Sequence, residues 1–311
     1  MLTKKDLLGT DQLERYEIEE IVGRAQGLMA LARGEAPLRS ALAGKTMLTL
    51  FYEPSTRTRT SFELAALRMG ASVVNLPVSQ SSVCKGESLI DTARTLDAMG
   101  PDFMIIRHPM SGAAAMLGRH TSASVINAGD GCHQHPTQAL LDLVALTDHF
   151  GSVTGKTILI VGDITHSRVA RSNIHLLKKM GATVRLCAPA TLMPKEIGAM
   201  GVETSFSIEE AIKNVDAVMA LRLQKERQQD GLLPSLGEYA KLYGINETRM
   251  SLAKTGAPLL HPGPVNRGVE VTPEMADHPR SLILRQVTCG LAVRMAVMEI
   301  LAEGRALACA C

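Results

Sequence analysis

Residues 47–76 read MLTLFYEPSTRTRTSFELAALRMGASVVNL, and this stretch decides the fold. MLTLFYE (47–53) is apolar without strict alternation, the pattern of a strand buried on both faces. SFELAALRMG (61–70) has helical spacing and ends at Gly70. ASVVNL (71–76) reads as the next strand. Strand, helix and strand in immediate succession predict a parallel sheet with helical cover. Between strand and helix lie Ser55, Thr56, Arg57, Thr58, Arg59 and Thr60, a dense run of hydroxyl and guanidinium donors.

The same alternation continues along the chain. DFMIIRH (102–108) and SASVINAG (122–129) read as strands, and PTQALLDLVALTDHF (136–150) as a helix with Pro136 in its first turn. A second series follows. KTILIVGD (156–163), TVRLCAP (183–189), DAVMALR (216–222) and APLLHPGP (257–264) are strand-like. RVARSNIHLLKKMG (168–181), IEEAIKN (208–214) and TCGLAVRMAVMEILAEG (288–304) are helical. The expected fold is α/β: two doubly wound domains, each with a mainly parallel sheet covered by helices on both faces. The boundary is expected at GSVTG (151–155), giving domains 1–150 and 151–287. A length of 311 residues suits two such domains.

Composition narrows the function classes. A net charge of +2 gives no basic field for nucleic acid or an anionic membrane. Aromatics are 3% and Trp is absent, so base-stacking platforms are not expected. No run of about 18 apolar residues predicts a spanning helix. The charged start, MLTKKDLLGTDQLERYEIEEI, lacks the apolar core of a signal peptide. The six cysteines are scattered, without metal-ligand spacing, as in reduced cytoplasmic proteins.

In open parallel sheets ligands gather beyond the carboxyl ends of strands. Arg57, Arg107, Arg168 and Arg222 all fall at or just past such ends, which predicts a ligand rich in anionic groups. Ser55–Thr58 can serve in two ways. They can cap the helix, or their hydroxyls, with free amide groups and Arg57, can cradle a phosphate. TGKT (154–157) is not a phosphate-binding P-loop, because its strand follows the glycines. No GxGxxG supports a dinucleotide, and His133 with His135 lacks the further ligands of a metal site. No cofactor is expected. SQSSVCKGES (79–88) and QKERQQDGLLPS (224–235) read either as solvated connections or as segments that close over a site.

FYEPSTRTRTSFE (51–63), RHP (107–109), NAGDGCHQHPTQALLDL (127–143), VGD (161–163) before Arg168, LRLQKER (221–227) and HPGPVNRGVE (261–270) closely resemble the catalytic chains of the aspartate carbamoyltransferase family, in order along nearly the whole sequence. The resemblance implies transfer of the carbamoyl group of carbamoyl phosphate to L-aspartate, early in pyrimidine synthesis. It implies a carbamoyl-phosphate domain, an aspartate domain and a last helix, about 288–311, that returns to the first domain. It also implies a homotrimer with shared active sites, and it leaves room for regulatory or dihydroorotase-like partner chains.

Carried over residue by residue, the resemblance assigns Ser55, Thr56, Arg57 and Thr58 to the phosphate. Arg107 is similar to an arginine that contacts phosphate and the carbamoyl oxygen. His135 and Gln138 match residues on the carbamoyl group, and Pro262 and Gly263 the turn whose carbonyls hold its amide. Arg168, Arg222 and Gln224 resemble the aspartate-binding set. Lys85, with Ser81 or Ser82, is similar to residues that reach the neighbouring subunit's site. Gly263 departs from the family, which often has Leu there. Two rival readings remain: an ornithine-type carbamoyltransferase, and an inactive chain that only assembles with a partner.

Overall fold

Met47, Leu48, Thr49 and Leu50 are all buried, and the strand they form, β1 (Thr46–Phe51), has neighbours on both sides. A computed structural model of the chain describes residues 4–76, 86–223 and 235–310. The chain divides into two compact units, Met1–Val144 with Thr288–Cys311, and Ala145–Val287.

In the first unit, α1 (Arg15–Gly27) and α2 (Met29–Arg33) precede β1. They are followed by α3 (Thr56–Arg68), β2 (Ser72–Leu76), α4 (Leu89–Asp97), β3 (Phe103–His108), α5 (Ala113–His120), β4 (Ser124–Asp130) and α6 (Pro136–Phe150), the last running on into the second unit. The sheet order is β2-β1-β3-β4 and every pair is parallel. Leu50 lies beside Leu76 on one side and Ile106 on the other. Leu48, Leu50, Met104, Ile106 and Val125 pack with Ala93 and Leu96 of α4 and Ala113 and Leu117 of α5. The order reverses between β1 and β3, so the segments after these two strands flank the switch point, where such sheets take ligands.

The second unit contains β5 (Thr157–Val161), α7 (Arg168–Lys179), β6 (Thr183–Cys187), β7 (Glu203–Ser205), α8 (Ile208–Ala211), β8 (Ala217–Ala220), α9 (Leu236–Tyr243), α10 (Glu247–Met250), β9 (Leu259–Leu260) and α11 (Pro273–Ala276). Its order is β7-β6-β5-β8-β9, again all parallel, with the reversal between β5 and β8. Leu159, Val161, Val218 and Ala220 pack with Ile208, Ile212, Met250 and Met275. The expected α/β fold with two parallel sheets is thus present.

α12 (Ile283–Ala310) begins in the second unit and runs through the first. There Arg24 Nη1 of α1 donates to Glu299 Oε2 at 2.9 Å and Glu303 Oε1 at 2.8 Å. Arg294 of α12 is buried with its guanidinium carbon 4.9 Å from the centre of the Phe62 ring of α3. Burial alone pulls that guanidinium down to about 10.

Two boundaries differ from the sequence reading in an informative way. α3 begins at Thr56, five positions before the apolar periodicity at Ser61, so the hydroxyl and arginine run is itself the first turn. Its amphipathic signal is weak there because those side chains are polar, including Thr58, which is buried. β9 holds only Leu259 and Leu260, because Pro262 and Pro264 remove the donors a longer strand requires.

Candidate active site

The first-unit candidates come from three segments around the β1/β3 switch point. Ser55 is the N-cap of α3, and Thr56, Arg57 and Thr58 are its first turn. Amide groups of a first turn lack intrahelical acceptors and carry the positive end of the helix dipole. Arg57 and Thr56 are exposed there, while Thr58 is buried. Arg59 stands two positions from Arg57, about 200° around the helix. Its Nε lies 3.4 Å from Glu63 Oε1.

Arg107 sits in β3 beside Phe51, the last residue of β1. Its Nε donates to Glu53 Oε2 at 3.1 Å. Glu53 belongs to the FYE segment, and the sequence reading gave it no role. Next to it, burial holds the His108 imidazole below its ordinary value, against the upward pull of Glu53 and Asp130. Its Nδ1 accepts from the Met110 amide at 3.0 Å.

β4 delivers the third segment. Asp130, 2% exposed, ends the strand and organises the turn after it. It accepts from the Gly112 amide (2.6 Å), Asn127 Nδ2 (2.8 Å) and the Gln134 amide (3.0 Å), and lies 3.1 Å from His133 Nδ1. His133 is therefore part of the turn. His135, 3% exposed, stands directly before α6, and its carbonyl accepts from the Gln138 and Ala139 amides. Gln138 Nε2 donates to buried Asp142 at 2.9 Å, fixing the amide on the first turn of α6. Among the described residues no cluster of His, Cys, Asp and Glu is arranged to hold a metal ion.

Gly131 has φ of +49°, and a Cβ there would lie 2.5 Å from Ser111 Oγ and 2.8–2.9 Å from the Ser111 amide nitrogen and the Pro109 carbonyl oxygen. Two of these atoms are backbone and cannot swing away. Gly131→Ala should therefore lower stability by about 2 kcal/mol or more and reduce activity, because the displaced turn carries His135. Thermal unfolding checks the first effect. A variant with unchanged midpoint and rate would show that the turn tolerates the side chain.

The second unit repeats the plan at its β5/β8 switch point. After β5, Asp163 accepts from the His166 amide at 3.1 Å and lies 2.9 Å from His166 Nδ1. Ser167 caps α7 by accepting from the Ala170 amide at 3.1 Å. Arg168 is the first residue of α7 and only 4% exposed. Arg222 follows β8 and is half-buried. Pro262 and Gly263 follow β9, with Gly263 at φ +68° and its amide donating to His261 Nδ1 at 2.8 Å. A glycine takes that conformation without the strain a leucine would carry. Ser81, Ser82, Lys85 and Gln224 lie outside the described residues.

The sequence reading missed Glu53, Asp130, Asp142, Asp163 and Glu270, all acceptors that hold a donor-bearing segment in place. In sequence Glu53, Asp130 and Asp163 are single acidic residues near strand ends, Asp142 sits inside a helix and Glu270 in a loop, and each resembles any surface carboxylate.

Two doubly wound sheets, each with cationic donors at its own switch point, define an α/β enzyme that handles anionic substrates. Comparison with known proteins specifies which. Residues 5–148 match the family described as aspartate/ornithine carbamoyltransferase, carbamoyl-P binding domain, and residues 154–301 match its Asp/Orn binding domain. The chain belongs to the aspartate/ornithine carbamoyltransferase family. It is 53% identical over 304 residues to the aspartate carbamoyltransferase catalytic subunit of Caldanaerobacter subterraneus subsp. tengcongensis, covering 98% of this chain and 100% of that one. The aspartate transcarbamoylase of Trypanosoma cruzi in complex with carbamoyl phosphate and aspartate superposes with a TM-score of 0.84 at 33% identity, covering 94% of this chain and 95% of the other. The ornithine carbamoyltransferase of Pyrococcus furiosus reaches 0.83 at 27% identity with the same coverage.

Proposed function

We propose that this chain transfers the carbamoyl group of carbamoyl phosphate to the amine of L-aspartate, releasing N-carbamoyl-L-aspartate and phosphate, in the synthesis of pyrimidines. The observation that carries the reading is the donor-rich first turn of α3 at the β1/β3 switch point, with Arg107 and His135 on the adjoining segments. The assignment to aspartate rests on Arg168 and Arg222 at the second switch point, two cations for two carboxylates.

Ser55, Thr56, Arg57, Thr58 and Arg107 receive the phosphate. Thr56, Arg107 and His135 donate to the carbamoyl oxygen, and Gln138 with the carbonyls of Pro262 and Gly263 holds the carbamoyl amide. Arg168, Arg222 and Gln224 bind aspartate. The amine attacks the carbonyl carbon and the C=O electrons move onto oxygen, where these donors stabilise them. Reforming the carbonyl expels phosphate, which takes the C–O bonding pair and then the amine proton. No covalent enzyme intermediate is required, because phosphate is already a good leaving group. Positioning of two substrates supplies about 7–11 kcal/mol in favourable cases.

The chain acts in the cytoplasm as a homotrimer in which Lys85, with Ser81 or Ser82, reaches the neighbouring subunit's site. What supports this is sequence resemblance at 79–88. Among the described residues no helix is long and apolar enough to cross a membrane.

A colorimetric carbamoyl-aspartate assay, run beside one with ornithine, tests the reaction. Product with aspartate alone is expected, and product with ornithine alone would overturn the assignment. Arg222→Ala should raise the KM for aspartate about tenfold to hundredfold, the range for hydrogen bonds to a charged group. Carbamoyl phosphate binding should stay nearly intact, and equal damage to both substrates would contradict the role.

A further inference from the structure

Glu270 is a buried carboxylate, 1% exposed, in the loop before α11, and the reaction above gives it no role. Its oxygens are nonetheless directed at two segments that the reaction uses. Oε1 accepts from the Leu223 amide at 2.9 Å and from Asn266 Nδ2 at 2.6 Å. Oε2 accepts from the Asn266 amide at 2.8 Å and lies 3.9 Å from His261 Nε2. The backbone on either side is fixed too, since the Glu270 carbonyl accepts from the Ile245 amide at 2.8 Å.

His261 extends the connection. Its Nδ1 accepts from the Gly263 amide, so the ring proton sits on Nε2, which faces Glu270. Its own amide donates to Gln286 Oε1 at 2.9 Å. One carboxylate thus holds the Leu223 amide, next to Arg222, and the Asn266 segment that follows the Pro262–Gly263 turn, with His261 Nε2 3.9 Å away. Leu223 itself is buried, so its side chain anchors one face of that backbone while Glu270 holds its amide.

We infer that Glu270 is a positioning residue for the acceptor amino acid: it ties the backbone beside Arg222 to the Asn266 segment that continues from the 261–264 turn, so that Arg222 is held in register with that loop. The inference rests on the function proposed above. Glutamine at 270 keeps the size but offers one acceptor oxygen and turns an NH2 group towards a backbone donor, so one of the two bridges must break. Alanine would break both and leave buried amides without acceptors.

Three measurements on the full chain test it. Amide hydrogen exchange of the peptide containing Leu223 should accelerate about tenfold to hundredfold in Glu270→Ala, which removes both acceptor oxygens, as for loss of a charge-assisted hydrogen bond. The KM for aspartate should rise by a similar factor. The affinity for inorganic phosphate, measured by calorimetry, should stay within about twofold, a split that general loosening of the fold does not produce. Asn266→Ala spares the bond to Leu223 and should leave aspartate KM within about threefold. If Glu270→Ala does not fold, Glu270→Asp carries the same test, because it keeps the charge but draws both oxygens back by one methylene. Unchanged exchange at Leu223, unchanged aspartate KM, or a parallel loss of phosphate affinity would overturn the inference. A native chain that fails to carbamoylate aspartate would instead overturn the proposed function.

Discussion

Arg57→Ala should lower the turnover of carbamoyl phosphate by about a hundredfold to thousandfold, the effect of deleting one preorganised donor from a developing negative charge. Arg59→Ala should change it by no more than about twofold. The two side chains have the same chemistry and lie in the same helical turn, so the contrast isolates geometry. Arg57 leaves α3 on the side of its exposed N-terminal edge, whereas Arg59 points about 200° away and is paired with Glu63. An exposed pair of that kind contributes about 0.2–0.5 kcal/mol, which would appear as a small fall in unfolding midpoint and nothing in the rate. Steady-state kinetics with saturating aspartate, together with phosphate titration, compare the two variants. Equal losses would mean that the helix end as a whole, and not one guanidinium, receives the phosphate.

His135→Ala should act differently, slowing turnover by about a hundredfold or more while leaving the affinity for carbamoyl phosphate within about threefold. A donor to the carbonyl oxygen gains most when that oxygen becomes an anion, so its removal falls on the transition state and little on the bound substrate. The position is well fixed for such a task. His135 is almost wholly buried, its carbonyl is bound by two amides of α6, and the preceding turn hangs on Asp130. Single-turnover kinetics read the chemical step directly. An unchanged rate would remove the electrophilic role and leave His135 as a structural residue before Pro136.

The sheets were legible because apolar runs such as MLTLF and TILIV carry their burial in composition alone. The candidate site was read from a different signal: Arg57, Arg107, Arg168 and Arg222 fall at or just past strand ends, and strand ends are where a parallel sheet takes ligands. What was not legible is the layer that holds these residues. Glu53 against Arg107, Asp130 against the Gly112 amide and Glu270 against Leu223 are contacts between segments distant in sequence. A periodicity read along the chain has no access to them. The start of α3 was hidden for a local reason. Its first turn is built from Thr and Arg, polar residues that give no amphipathic signal even where one of them, Thr58, is buried.

The two switch points have one more consequence, for inheritance. Each sheet presents its donors on its own loops, so under the proposed function substitutions after β8 or before α7 would retarget the acceptor without disturbing the α3 turn proposed to receive phosphate. The family's own descriptions divide in the same way, one ligand for the first segment and two amino acids for the second. A chain of this design can diversify its acceptor while its donor chemistry stays frozen. Under that reading, exchanges around Arg168 and Arg222 would change which acceptor is used, whereas exchanges in the first turn of α3 would impair the reaction with any acceptor.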